Sequence, residues 1–80
     1  MSKNEFLEKL RASRLSKKFY FVVVGQTDTE STVTMVRKGT NRVECAFTYE
    51  TTGLIYNMAF GNIGFYDLKD FIDTVDRLLS

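Results

Sequence analysis

Histidine, proline and tryptophan are absent from this 80-residue chain, and cysteine occurs only once. Without histidine, the chain lacks both the commonest general base near neutral pH and the commonest metal ligand. The single cysteine, Cys45, cannot form an intrachain disulfide, and secreted domains of this size usually carry several. We therefore expect no enzyme activity, no metal and no cofactor, and we expect the protein to work in a reducing compartment, the cytoplasm.

Long apolar runs are also missing. The longest dense stretch, Phe19–Val24, falls well short of the roughly 18 residues that a membrane span needs. The charged N-terminal segment lacks the apolar centre of a signal peptide. What the chain does contain is 44% hydrophobic residues, among them seven phenylalanines and four tyrosines. That content can fill one small core, so we expect a single α+β domain over residues 1–80 that does not enter a membrane.

Helices are predicted at both ends of the chain. Ser2 and Glu5 have capping-box spacing before an apolar stripe, which predicts a helix from about Lys3 to Ser13. Asp67 suits the N-cap of a second helix, which runs to Leu79 with apolar residues at i, i+3, i+4 and i+7.

Between the helices, apolar and polar residues alternate in segments rich in β-branched and aromatic side chains. Four strands are predicted there: Lys18–Gly25, Ser31–Lys38, Arg42–Glu50 and Leu54–Phe60. The expected order is α-β-β-β-β-α, an antiparallel meander sheet with both helices packed on one face.

The alternation also predicts the register of two hairpins. A three-residue loop at Gly39–Asn41 would place Val33 opposite Phe47, and Lys38 opposite Arg42. The apolar side chains of both strands then share a face, as a half-buried sheet requires.

In the second hairpin, Gly53 can supply the positive φ angle that such a turn requires. A four-residue loop at Thr51–Leu54 would place Tyr49 opposite Tyr56, with both on the core face. This loop is favoured over a three-residue loop, which would place the polar Asn57 opposite Phe47.

Two candidate sites are interpreted as structural. The strand pattern points Cys45 into the core, where a thiol is not a nucleophile. Four aspartates recur every third residue along the second helix, and their positions drift by about 60° per step, so they cannot converge on one metal ion. They are expected to form a solvated face: Asp67, Asp70, Asp73 and Asp76.

The first strand is apolar on both faces. Phe19, Phe21 and Val23 point one way and would enter the core. The other set then forms an exposed apolar strip, which we call the strand-one strip: Tyr20, Val22 and Val24. Because such strips are typical of interaction sites, we expect this one to meet a second subunit, as in a homodimer, or another partner.

Charge is unevenly distributed although the net charge is only +1. Residues 1–25 hold six Lys or Arg against two Glu, whereas residues 51–80 hold two against four. The meander would gather six basic residues at one end of the sheet, beside the loop 61–64 and the N-terminus of the second helix. We call this group the cationic end: Arg14, Lys17, Lys18, Arg37, Lys38 and Arg42.

These patterns favour a small non-catalytic interaction module, either an adaptor or an inhibitor of the kind that viruses and mobile elements encode. It would bind an acidic protein partner through the cationic end. The alternative is a nucleic-acid-binding protein, for RNA or DNA, that uses the same basic residues. A third interpretation is that the cationic end is an ordinary set of solvated charges near turns.

Overall fold

A computed structural model describes residues 1–57 and 63–79. Two α-helices and a short 3₁₀ helix accompany five strands: α1 (Lys3–Arg11), the 3₁₀ helix (Arg14–Lys17), β1 (Phe19–Gln26), β2 (Glu30–Arg37), β3 (Arg42–Glu50), β4 (Ile55–Asn57), β5 (Ile63–Phe65) and α2 (Leu68–Leu79). The strands form one antiparallel sheet in the order β1-β2-β3-β4-β5. The predicted α+β fold and meander are confirmed. Residues 58–60, in the predicted fourth strand, lie outside the described residues.

Side chains at the helix starts form the predicted caps. The Glu5 N–H donates to Ser2 Oγ at 3.1 Å, and the Lys69 N–H donates to a carboxylate oxygen of Asp67 at 3.0 Å. These bonds satisfy amide groups that have no partner inside the helix. No helix in the described part of the chain is both long and apolar enough to span a bilayer.

Both helices pack on the same face of the sheet. Phe6 and Leu10 of α1 are fully buried, as are Phe71 and Val75 of α2. They join one cluster with the inward side chains of the strands, including Phe19, Phe21, Val33, Met35, Cys45, Phe47, Tyr49 and Ile55. The predicted two-layer arrangement is therefore confirmed, and we call the sheet face opposite the helices the open face.

The first hairpin has the predicted register in its body and a different register near its tip. Val33 pairs with Phe47 as expected, but a bulge on β3 at Glu44 then shifts the register. Arg37, rather than Lys38, consequently lies opposite Arg42. Because Glu44 is an extra residue in β3, the side chains on the hairpin-tip side of the bulge point to the opposite face from the one predicted. The predicted core residue Val43 is consequently 59% exposed.

The predicted register of the second hairpin is wrong by one residue. Tyr49 pairs with Ile55 rather than Tyr56. Glu50 to Gly53 form a turn closed by a 2.8 Å bond from the Gly53 N–H to the Glu50 carbonyl, and Gly53 has a φ of 110°. A tight turn followed by a left-handed glycine is a favoured three-residue connection. This turn places Ile55 in the core at 1% exposure.

The short strand β5 changes the position of α2. Ile63 and Gly64 were predicted to lie in a loop leading directly to the second helix, but they belong to β5, which pairs antiparallel with β4. This strand returns the chain to the opposite end of the sheet before α2 begins. The prediction that the N-terminus of α2 lies at the cationic end is therefore wrong. The C-terminus lies there instead, where a guanidinium nitrogen of Arg37 donates to the Leu79 carbonyl at 2.8 Å.

Candidate interaction surface

Arg14, the first residue of the cationic end, is held by two carboxylates of α2. Its guanidinium donates to Asp73 at 2.5 Å and to Asp76 at 3.0 Å. These hydrogen bonds raise the pKa of Arg14, the one donated to Asp73 having the larger effect. The same bond lowers the pKa of Asp73. Two of the four helix aspartates therefore tie α2 to the 3₁₀ helix, and the charge of Arg14 is compensated.

Arg37 is compensated as well. Its Nε donates to Glu44 at 2.8 Å, and its other contact is the Leu79 carbonyl at the negative end of the α2 dipole. The guanidinium also lies over the ring of Phe19, 4.9 Å from the ring centroid. The bulge at Glu44 brings this carboxylate to Arg37. Through these contacts Arg37, the last residue of β2, connects β1 and β3 with the C-terminus of α2.

The remaining four basic residues of the cationic end are exposed. The ion pairs found within residues 1–57 and 63–79 involve none of them. The Lys38 N–H donates to the Lys18 carbonyl at 2.9 Å, which places these two residues side by side. We call this smaller group the basic patch: Lys17, Lys18, Lys38 and Arg42.

The strand-one strip lies on the open face beside two residues of the basic patch, Lys18 and Lys38. Tyr20 is 53% exposed, Val22 44% and Val24 59%, whereas Phe19 and Phe21 are buried. Lys38 joins the two surfaces, because its Nζ lies 4.9 Å from the centroid of the Tyr20 ring. Charge and apolar area are thus contiguous along the outer margin of the sheet.

Sequence reasoning missed two further members of the open face. Val43 extends the row in which Tyr20 pairs with Val36 and Val36 pairs with Val43. Tyr56 pairs with Thr48 and, with Phe47, Thr32 and Ala46, lines a shallow hollow of about 140 Å³. For both residues, the observed register differs from the predicted one by one position, which places the side chain on the open face instead of the core face. The turn at Gly53 was the sequence signal that could have identified Tyr56.

Sequence reasoning also missed Arg11. Its guanidinium crosses from the end of α1 to the outer strand, where it donates to the Phe21 carbonyl at 3.1 Å. Arg11 and Lys38 both line a groove of about 510 Å³ beside β1. No periodic pattern relates a residue at a helix end to the main chain of a strand, so this contact depends on how α1 docks.

Within the described ranges, no three His, Cys, Asp or Glu side chains are close enough together to hold a metal ion. Cys45 is buried, and its thiol donates to Met35 Sδ at 3.4 Å. No protein-family model matches the chain, and neither a curated protein nor a solved structure is detectably similar to it.

Proposed function

We propose that this chain is a non-catalytic protein-interaction module, an adaptor or an inhibitor, that binds an acidic partner. The binding surface is the basic patch together with the strand-one strip. One observation carries the proposal: Lys38 lies over the exposed ring of Tyr20 and beside Lys18, so cations and exposed apolar side chains form one continuous surface. Compensation of Arg14 and Arg37 reduces the predicted cationic end to the four residues of the patch.

Each half of the surface has a distinct role in binding. Burial of the apolar strip supplies favourable free energy, at about 25 cal/mol per Å² of apolar area removed from water. The lysines and Arg42 supply orientation and a faster association rate, because long-range attraction steers an acidic partner towards them. Tyrosine is enriched among residues that dominate binding energies, and Tyr20 lies where the two halves meet.

The absence of catalysis is part of the proposal. The chain has no histidine, and the Cys45 thiol lies in the core against Met35. Two of the acidic side chains that α2 offers are already bound to Arg14. We also propose that the protein works in the cytoplasm, since a single cysteine suits a reducing compartment.

Two triple variants with the same change in charge test the proposed surface. Partners are captured from host cells by crosslinking, purified, and measured by calorimetry. In the first variant, Lys18, Lys38 and Arg42 become glutamine. In the matched control, three cations outside the cationic end become glutamine: Lys3, Lys9 and Lys69.

The first variant should bind the partner at least about tenfold more weakly, a loss of roughly 1.4 kcal/mol. The control should bind like the unmodified protein, and both variants should keep their thermal stability. Equal weakening in both variants would show that only net charge matters. Unchanged binding in the first variant would refute the proposed surface.

Nucleic acid is the second candidate ligand, favoured by one observation: an exposed tyrosine ring with a lysine 4.9 Å from its centroid. Stacking on such a ring and contacts to phosphates are how proteins hold single strands. Four phosphate contacts predict a slope of about −3 for log affinity against log salt concentration. Fluorescence anisotropy with a mixed-sequence single-stranded oligonucleotide measures this slope. No binding at low salt would eliminate this candidate.

A further inference from the structure

The strand β1 is the first strand of the sheet, so only one of its edges is paired with β2. The hydrogen bond from the Lys38 N–H to the Lys18 carbonyl identifies which residues face β2. Hydrogen-bonded pairs alternate along an antiparallel ladder. Tyr20 and Val22 are in phase with Lys18, so their main-chain groups are also directed at β2.

The intervening residues, Phe19, Phe21 and Val23, therefore direct their N–H and C=O groups away from the sheet. The bond from Arg11 to the Phe21 carbonyl agrees with this phase, because the guanidinium reaches that oxygen from outside. Rows of main-chain groups of this kind are templates for the addition of another strand.

The groove beside this edge has the character of a binding site for an extended segment. Its volume is about 510 Å³. Arg11 and Ser16 line it on the side of the helices, and Tyr20, Val22 and Lys38 line it on the side of the open face. Its two charged side chains are both cations, so the groove complements an acidic occupant.

We propose that an extended acidic segment of a partner protein adds to the outer edge of β1 as a further antiparallel strand. This proposal rests on the function proposed above and gives the form in which the acidic partner binds. The residue opposite Phe21 points towards the helices and is acidic. Its carboxylate accepts the hydrogen bond of the Arg11 guanidinium in place of the Phe21 carbonyl. The residues beside Tyr20 and Val22 are apolar and extend the strand-one strip. The segment thus alternates acidic and apolar residues.

A second copy of this chain is a poor occupant of the same edge. The sequence of β1 contains no acidic residue. Antiparallel pairing of two copies about Phe21 would bring both Arg11 guanidiniums to the two-fold axis, where like charges repel. The irregular pairing between Val23 and Gly25 leaves Val24 as an extra residue, so the regular edge ends at Val23.

The test uses an acetylated, amidated peptide in which Glu and Val alternate over seven positions. Glu is opposite Phe21 in this pairing, so the Glu amides donate to β1 and the Val amides point away. N-methylation of every Glu should weaken binding by about tenfold or more, since it removes the ladder donors. N-methylation of every Val is the matched control and should leave the affinity unchanged.

Two further measurements examine the protein side. Amide hydrogen exchange by NMR should show new protection at Phe19, Phe21 and Val23 on peptide binding, with little change at Tyr20 and Val22. The variant Arg11→Gln should bind the peptide about tenfold more weakly. Lys9→Gln, an exposed cation on the same helix, is its control and should bind normally.

The possible outcomes separate this proposal from the proposed function. Equal binding of both methylated peptides, or no alternating protection, overturns strand addition and leaves recognition of acidic ligands intact. No binding of the unmodified peptide also overturns strand addition, and the triple variants then decide whether the basic patch binds a partner at all. Dimers of the unliganded protein with Phe21 and Val23 protected would show that a second copy occupies the edge, which equally overturns the proposal.

Discussion

The docking of α1 on the sheet depends on Phe6, and its replacement gives a large predicted effect. The side chain is fully buried. Its ring stacks on Tyr49 with centroids 4.1 Å apart and planes inclined by 7°, and it meets Phe47 edge-on at 6.1 Å. Helix α1 has nine residues, too few to be stable without docking.

We expect Phe6→Ala to lower the free energy of unfolding by about 3–5 kcal/mol, the range for large-to-small changes of a buried phenylalanine. The two aromatic contacts account for roughly 0.5–1.5 kcal/mol each within that range. A domain of this length has a total stability of about 4–12 kcal/mol, so the variant loses a large share of it. Phe6→Leu retains most of the buried volume and should lose about 1–2 kcal/mol.

Urea denaturation followed by circular dichroism measures these changes, because the chain has no tryptophan to report by fluorescence. Leu7→Ala is the matched control. Leu7 follows Phe6 on the same helix but is only partly buried, so about 1 kcal/mol is expected. A loss below about 1 kcal/mol for Phe6→Ala, or one equal to that of Leu7→Ala, would refute the docking of α1 through Phe6.

Three other predictions concern register, charge pairing and pH. Ile55→Ala should lower the free energy of unfolding by about 2–5 kcal/mol and Tyr56→Ala by about 1 kcal/mol, because only Ile55 points into the core. Thermal and urea unfolding of the two variants measure this difference. Arg37→Gln should lower the free energy of unfolding by about 1–3 kcal/mol in the same assay, since it leaves the Glu44 carboxylate and the Leu79 carbonyl without their donor. Arg42→Gln, the control, should change it by no more than about 0.5 kcal/mol. The hydrogen bond from the Arg14 guanidinium holds the pKa of Asp73 below its usual range, so its contribution to stability is present above the unfolded pKa and is lost as the pH falls through the lower folded pKa. Asp73→Asn should therefore show a shallower loss on acidification.

Each of these three predictions has a result that would contradict it. A larger loss for Tyr56→Ala than for Ile55→Ala would support the register with Tyr49 opposite Tyr56. Equal effects at Arg37 and Arg42 would mean that the ion pair with Glu44 contributes nothing. The Asp73 contact is partly exposed, so its effect should weaken in high salt. Identical acid unfolding of Asp73→Asn and the unmodified protein would eliminate that contribution.

Interactions between near neighbours along the chain were predictable from the sequence. The caps at Ser2 and Asp67 depend on side chains that bond to amides two or three residues away. The apolar stripe of α2 follows the helical period, and the body of the first hairpin follows from alternation around a short turn. In each case the pattern and the contact span the same short segment. The α+β class, the antiparallel order of the first four strands, and the core face of β1, β2 and residues Cys45 to Tyr49 of β3 therefore required no tertiary information.

Only the tertiary structure decided which side chains face outward and which charges are paired within the molecule. A single extra residue at Glu44 exposes Val43, and a turn built on Gly53 exchanges the faces of Ile55 and Tyr56. Because side chains alternate with a period of two, such one-residue shifts reverse a whole strand without altering its composition. Arg14 lies 59 residues from Asp73 in the chain, and no local pattern encodes that pairing. The reduction of the six basic residues of the cationic end to the four outside the ion pairs of the described residues therefore depended on packing.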